Sequence, residues 1–421
     1  MSRRTALPAA FTRLSSASAL TLTAEQLALA AAPLAAVVVL GAGATETALL
    51  QVAQTLPFLL LAMPFGLLVD RHSPRPFLLG AEALRTATLL SVVALLLLDA
   101  LTFPALLALG LIGAIGTVAF SVAVPATVPA VVERERLVDA NRWIELGRST
   151  AYIAGPALGG ALVSLAGAST AFIVATVVCA AAVVLLTGVA LPDRPAATHP
   201  EPALRSLGEG LRFALQHDLL RPMILTSMIF NVGWFLVQAV FVVHAIDRVG
   251  MTPATVGIAL GVSGAGGLLS AFAARWLSDR LPLGVLMIVG PICGLLAAVV
   301  LVATLWIPSS VIVFASFFLF GFGPVLWAIS TTSLRQAVTP LPLLGRVSSL
   351  MIVSTYGARP LGAGLAAVIS ALAGLDWCLV AAAVVFAAQL VVALASRLPR
   401  VRRLPEQDPR PASAAEASPA R

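Results

Sequence analysis

Apolar runs of about twenty residues follow one another along this chain, each long enough to cross ~30 Å of hydrocarbon as a helix. Twelve can be drawn between charges and turn residues, at about 16–40, 47–69, 77–98, 103–128, 141–165, 169–190, 222–246, 254–276, 283–306, 310–332, 348–372 and 376–396. No soluble fold could hide them. Of the 421 residues 59% are hydrophobic and 11% charged, against roughly 45–50% and about 25% in soluble domains. The expected fold class is an all-α integral membrane protein of twelve transmembrane helices, with the lipid bilayer as its first partner.

The loops carry the orientation. Every basic residue is an arginine, and the net charge of +7 does not point to nucleic acid, because the arginines sit singly in short loops. With the N-terminus in the cytoplasm, the inner segments hold Arg3, Arg4, Arg13, Arg71, Arg75, Arg134, Arg136 and Arg142. They also hold Arg194, Arg205, Arg212, Arg221, Arg275, Arg280, Arg335, Arg346 and all arginines from Arg397 onward. The outer loops hold Arg248 alone, beside Glu46, Asp99, Asp247 and Asp376. Positive charge stays inside, so both termini are expected in the cytoplasm of a bacterial cell, with the chain in its inner membrane. The start, MSRRTALPAAFTRL, is basic, but no small-residue cleavage site follows it, so the first helix is expected to remain.

The chain divides at one polar, proline-rich stretch, LPDRPAATHPEPA at 191–203. Residues 1–190 form an N-terminal six-helix bundle and 222–398 a C-terminal one, with a cytoplasmic linker at 191–221 and a disordered tail at 399–421. In the linker Leu204, Leu207, Leu211 and Leu215 recur at helical spacing beside Arg205, Glu209 and Arg212, as in a helix lying on the membrane surface. The halves echo each other. Leu165-Ala166-Gly167 opens the turn into helix 6 as Leu372-Ala373-Gly374 opens the turn into helix 12. Helix 5 carries Pro156 before Gly159 and Gly160; helix 11 carries Pro360 before Gly362 and Gly364. Two parallel repeats of six helices suit a secondary transporter.

With these motifs the chain resembles the major facilitator superfamily. The loop between helices 2 and 3, GLLVDRHSPR, is similar to the superfamily's signature at Gly66, Leu68, Asp70, Arg71 and Arg75. Ser73 and Pro74 depart from it, and the matching loop of the second half keeps only Asp279 and Arg280. Gly66 is expected to allow close packing and Asp70 to attract a helix N-terminus. Helix 5 resembles the antiporter motif through Ala151, Gly155, Pro156, Gly159 and Gly160. Small residues at 151, 155 and 159 share one face, which lets another helix approach. Gly257, Gly261 and Gly264 of helix 8 lie at matching depth, so helices 5 and 8 are expected to seal the outer side. Segments such as ERLVDANRW, LGEGLRFALQHDLLRPM and LGRVSS resemble a bacterial branch of enterobactin exporters and macrolide-efflux-like proteins. That resemblance implies export of a siderophore, antibiotic or similar amphiphile by alternating access.

Ionisable groups within the hydrocarbon are costly and mark function. Glu25 lies ~14 Å into helix 1 at 1.5 Å per residue, near the midplane, and is the candidate carrier of a coupling proton. Arg148 in helix 5 is the expected counter-charge, with Arg359 in helix 11 as the second cation. Glu82 and Arg85, three apart on helix 3, are expected to pair with each other. Asn231, Trp234 and Gln238 fall within a ~60° sector of helix 7 and are expected to line a substrate cavity with Gln26, Trp327 and Tyr356. Cys179, Cys293 and Cys378 lie in apolar runs without ligand spacing and read as core residues. No nucleotide-binding loop, nucleophile beside a histidine or metal cluster is visible in the sequence, so no enzyme, metal or cofactor is expected. The chain reads as a monomeric, proton-coupled exporter of a small amphiphile. An importer or uniporter of the same fold stays open, as does a non-transporting sensor or scaffold.

Overall fold

The computed structural model describes residues 8–71, 73–133, 136–189 and 211–402, all helix and turn. The first helices are α1 (Ala9–Val38), α2 (Ala44–Arg71), α3 (Pro74–Leu97) and α4 (Phe103–Val131). After the element Leu137–Thr187 come α7 (Leu220–Val243), α8 (Pro253–Ser278), α9 (Leu283–Ala303), α10 (Ser310–Val338), α11 (Leu341–Ala373) and α12 (Leu375–Ala395). Several helices outrun the apolar segments at one end or the other, because a helix's terminal turns can carry polar residues beyond the apolar run.

Leu137–Thr187 is too long for one crossing. Its 51 residues would reach ~77 Å at 1.5 Å per residue. It breaks at Gly167, with φ 83 and ψ 166, into α5 (137–166) and α6 (168–187). The chain then returns to the face it left: the Gly188 carbonyl accepts from Arg13 at 2.5 Å, and that of Thr187 from Arg75 at 2.7 Å. Among the described residues, eleven helices are long and apolar enough to cross a membrane, and this one has the length of two crossings. Gly374 turns α11 into α12 with nearly the same backbone, φ 91 and ψ 171. A Cβ would crowd nothing at either glycine, so the left-handed φ itself is the requirement. The repeated Leu-Ala-Gly is one turn built twice.

The packing repeats as well. α1 lies on α5 as α7 lies on α11, α2 on α4 as α8 on α10, and α3 on α4 as α9 on α10. Gly155 is pressed onto Gln26 in one half, and Gly362 onto the Val232 backbone in the other. The halves meet through α5 with α8 and α2 with α11, two pairs that exchange under the same repeat.

The apolar core shows which side is closed. Call the end where α1 begins and α12 ends the termini face. Away from it, one buried cluster runs through both halves, from Leu34, Leu50 and Phe172 to Leu236, Phe317 and Leu379. Toward the termini face the core splits into separate clusters, one around Phe11, Leu78 and Leu186 and another around Leu220, Leu334 and Val347. The halves are fused on the far side and parted on the termini side. Linker residues 190–210 and tail residues 403–421 lie outside the described part, as does most of the expected surface helix. Its last turns, 211–216, are helical with Leu211 and Leu215 exposed.

Candidate functional site

Burying a guanidinium is tolerable only beside carboxylates and hydrogen-bond acceptors, and Arg85 has both. Its Nη1 donates to Glu82 at 2.8 Å and its Nη2 to the Thr21 carbonyl at 3.3 Å. The Glu25 carboxylate lies 4.0 Å from the same Nη2. Glu82 also accepts from the Cys179 thiol at 3.1 Å. Gly116 of α4 makes room, since a Cβ there would stand 2.7 Å from Arg85 Cγ. One guanidinium thus serves two carboxylates. Glu82 is wholly buried, whereas Glu25 keeps 17% of its side chain exposed. The pairing within α3 follows the local i,i+3 expectation.

The cation beside Glu25 is therefore Arg85, not Arg148. The reason is register. α1 and α5 run parallel with Gly147 against Ala19 and Gly159 against Ala30. Arg148 then stands level with residues 19–20, about five residues or ~8 Å short of Glu25. Tyr152, one turn on, lies within electrostatic range of Glu25, Arg359 and Tyr356 as well as of Arg148. Tyr152 is not among the site residues expected from the sequence. Its spacing of four from Arg148 was the available signal.

Arg359 brings the second half to the same place and lies within electrostatic range of Glu25. Its guanidinium sits 4.0 Å over the Tyr356 ring and 5.1 Å over Phe235. Tyr356 in turn stacks on Phe58 of α2, centroids 5.0 Å apart at 17°. This α11–α2 contact is extended toward the far face by Thr45 and Ser370, whose hydroxyls are 3.1 Å apart.

The glycines of α5 serve two faces rather than one. A Cβ on Gly159 would meet Leu27 O and the Ala30 methyl of α1 at 3.1 Å, and Ala151 is wholly buried. The expected 155/159 approach to α8 is in fact an approach to α1. The contact with α8 belongs to Gly160, Pro156, Ala157 and Ile153. A Cβ on Gly160 would stand 2.6 Å from Gly257 Cα, and one on Gly257 2.7 Å from Pro156 O. Gly261 faces Ala157 and Ile153 O at 3.3 Å, and Gly264 faces Ile153 at 2.6 Å. Residues 159 and 160 differ by ~100° around the helix, which separates the two partners.

In the 66–75 loop, a Cβ on Gly66 would find Val122 at an ordinary 3.9 Å, so close packing does not require glycine here. Arg75 caps the Thr187 carbonyl at the end of α6 within its own half, where a cation suits the helix dipole. Asp70 and Arg71 close α2, and their side chains are not described.

A cavity of about 370 Å³ opens in the second half, among α7, α9, α10, α11 and α12. Asn231, Trp327 and Tyr356 line it as expected, joined by Ser227, Phe230, Met351, Arg335 and Gln389. Trp234 and Gln238 do not. Trp234 packs on Phe320 and Phe317 at 5.0 and 5.8 Å, inside the aromatic part of the far-side core. Gln26 is buried against Gly155. Three buried polar atoms at the cavity lack partners: Trp327 Nε1, Gln389 Oε1 and Arg335 Nε. Each such orphan costs about 1–3 kcal/mol, which a ligand that bonds them can relieve. Gln389 and Arg335 were not singled out from the sequence as cavity residues. Gln389 is the lone amide in an apolar run, which was the signal.

Twelve crossings in two repeated bundles, fused on one side and parted on the other with charges at the seam, make a transporter of the major facilitator fold. Solved structures bear out that fold: that of a POT family transporter in complex with 5-aminolevulinic acid superposes with a TM-score of 0.75 over 94% of this chain and 97% of that one, at 13% identity. The family model of transmembrane secretion effectors matches residues 14–417, and the chain belongs to that family. Curated relatives include the multidrug efflux pump Tap of Mycolicibacterium fortuitum, 28% identical over 86% of this chain and 89% of Tap. The enterobactin exporter EntS of Citrobacter koseri is 27% identical over 71% of each.

Proposed function

We propose that the chain exports a small amphiphilic molecule in exchange for protons, working as a monomer in the bacterial inner membrane with both termini in the cytoplasm. The observation that carries the coupling is the place of Glu25 among the cations of both halves. Arg85 bonds Glu82 directly and stands 4.0 Å from Glu25, while Arg359 of the other half lies within electrostatic range, so Glu25 has cations near it but no short bond to either. A carboxylate held so loosely at that depth is costly to keep charged, so a proton taken up there is a natural cargo. The termini face then corresponds to the cytoplasm, the split core to an inward-open state, and the α5–α8 and α2–α11 contacts to the closed outer gate. Export rather than import is supported by the efflux functions named for Tap and EntS. The charge placement speaks for coupling, since a scaffold or sensor has no use for an ionisable group shared between moving halves.

The test is transport in inverted membrane vesicles with an imposed pH gradient and a panel of amphiphilic dyes and antibiotics. Gradient-dependent uptake into the vesicle lumen, abolished by a protonophore, is the expected result. Movement only down the substrate's own gradient would replace the exchanger by a uniporter.

A further inference from the structure

The cavity in the second half selects a ligand charge. All its described lining residues come from that half, and none is acidic. The carboxylates of the seam, Glu25 and Glu82, belong to the first half. Its one lining cation is Arg335, three residues from the end of α10 and hence ~5 Å from the termini face. Arg335 has no acidic partner among the described residues, and its Nε is buried without an acceptor. Deeper in, Trp327 offers an unpaired indole N–H and Gln389 an unpaired carbonyl oxygen, while the Gln389 amide nitrogen donates to Thr226 O at 3.2 Å. The Asn231 amide nitrogen donates to the Ser227 carbonyl at 2.9 Å, and the Ser227 hydroxyl lies 2.9 Å from that of Thr355. The fully buried polar atoms of the lining that stay unpaired are thus a donor on Arg335 near the mouth, and one neutral donor and one acceptor deeper in. Phe230, Met351, Ile352 and Tyr356 supply apolar wall between them.

We propose that this cavity is a binding subsite for an acidic amphiphile, whose anionic group meets Arg335 while an N–H or O–H donor meets Gln389 Oε1 and an acceptor meets Trp327 Nε1. The assignment rests on the transporter reading and narrows it to anionic substrates. A cationic drug would find no counter-charge in this cavity and would need the first half instead. Charge-assisted bonds to a guanidinium are roughly twice as strong as neutral ones, so charge is the property to vary.

Three dansyl compounds separate the cases: dansyl-phenylalanine, which carries a carboxylate and a sulfonamide N–H, its uncharged methyl ester, and the cationic dansyl-cadaverine. Binding is read by fluorescence titration on the full chain in phosphatidylcholine nanodiscs. The acid should bind about tenfold tighter than the amine, a difference that one charge-assisted contact can supply. Arg335→Gln should bring the acid down to the affinity of the ester without moving the ester, which also shows that the variant is folded. Arg335→Lys should keep most of the preference, and Gln389→Leu should weaken acid and ester together. Absence of saturable acid binding, a tighter amine, or an acid affinity unmoved by Arg335→Gln would overturn the proposal. So would loss of ester binding in Arg335→Gln, which would make the arginine structural. The titration needs no gradient, so its failure leaves the export reading standing. A protein that binds the acid but moves nothing in vesicles fails only that reading.

Discussion

Gly160 of α5 and Gly257 of α8 meet backbone to backbone, so closely that a Cβ on either would lie 2.6 to 2.8 Å from the other's Cα. No side chain fits between them. This contact joins the two halves on the far side, and it can open only if the helices separate.

Gly160→Leu and Gly257→Leu should therefore insert and fold but fail to close the far side. Overpacking a tight contact costs typically about 1–3 kcal/mol, enough to shift a two-state balance about five- to a hundredfold. Transport should fall by at least that order, and far-side cysteine probes should label faster. Gly159→Leu should behave differently, loosening α1 against α5 and lowering thermal stability. Wild-type transport by Gly160→Leu would show that the contact does not gate.

The α2–α11 pair offers a reversible test of the same movement. Thr45 and Ser370 have hydroxyls 3.1 Å apart, near enough for their cysteine replacements to approach disulfide geometry. The Thr45→Cys/Ser370→Cys protein should cross-link under mild oxidation, lose transport, and regain it with reductant. The native cysteines are buried and should not interfere. Normal transport in the cross-linked form would remove α2 and α11 from the gate.

Glu25→Gln separates coupling from architecture. The amide keeps the shape, and at 4.0 Å from Arg85 the carboxylate makes no short bond whose loss would unfold the bundle. Substrate binding should persist, and a pH gradient should cease to drive accumulation in proteoliposomes. If uphill transport continues at the wild-type rate, the coupling proton travels elsewhere.

Arg85 should matter for stability first. Removing one partner from a buried ion pair costs about 3–5 kcal/mol, whereas replacing both by apolar groups of similar volume is often neutral. Arg85→Met should lower the unfolding temperature in detergent markedly, and adding Glu82→Leu should restore much of it. An unchanged midpoint for Arg85→Met would mean that water or lipid headgroups reach the cluster.

Topology is checked most directly on the loops. Reporter fusions at 193–203 and at 42–46 should report opposite sides of the membrane, the first cytoplasmic. A periplasmic linker would reverse the assignment of the open face.

What the chain alone determined was local. The number of crossings follows from run length against bilayer thickness, the Gly167 and Gly374 turns from the need for a left-handed residue, and the Glu82–Arg85 pair from i,i+3 spacing along one helix. What only the tertiary structure decided was relational. Arg85 rather than Arg148 stands by Glu25 because α1 and α5 pack in a parallel register that no single-helix period encodes. Gly159 faces α1 and Gly160 faces α8 because a small stripe says that a helix will approach, but not which one. Trp234 left the expected cavity for the aromatic core, and Gln389 entered it, through the rotation of whole helices. A helix's length and faces are written in neighbouring residues, whereas the depth and rotation at which it meets another come from summed packing across the entire bundle.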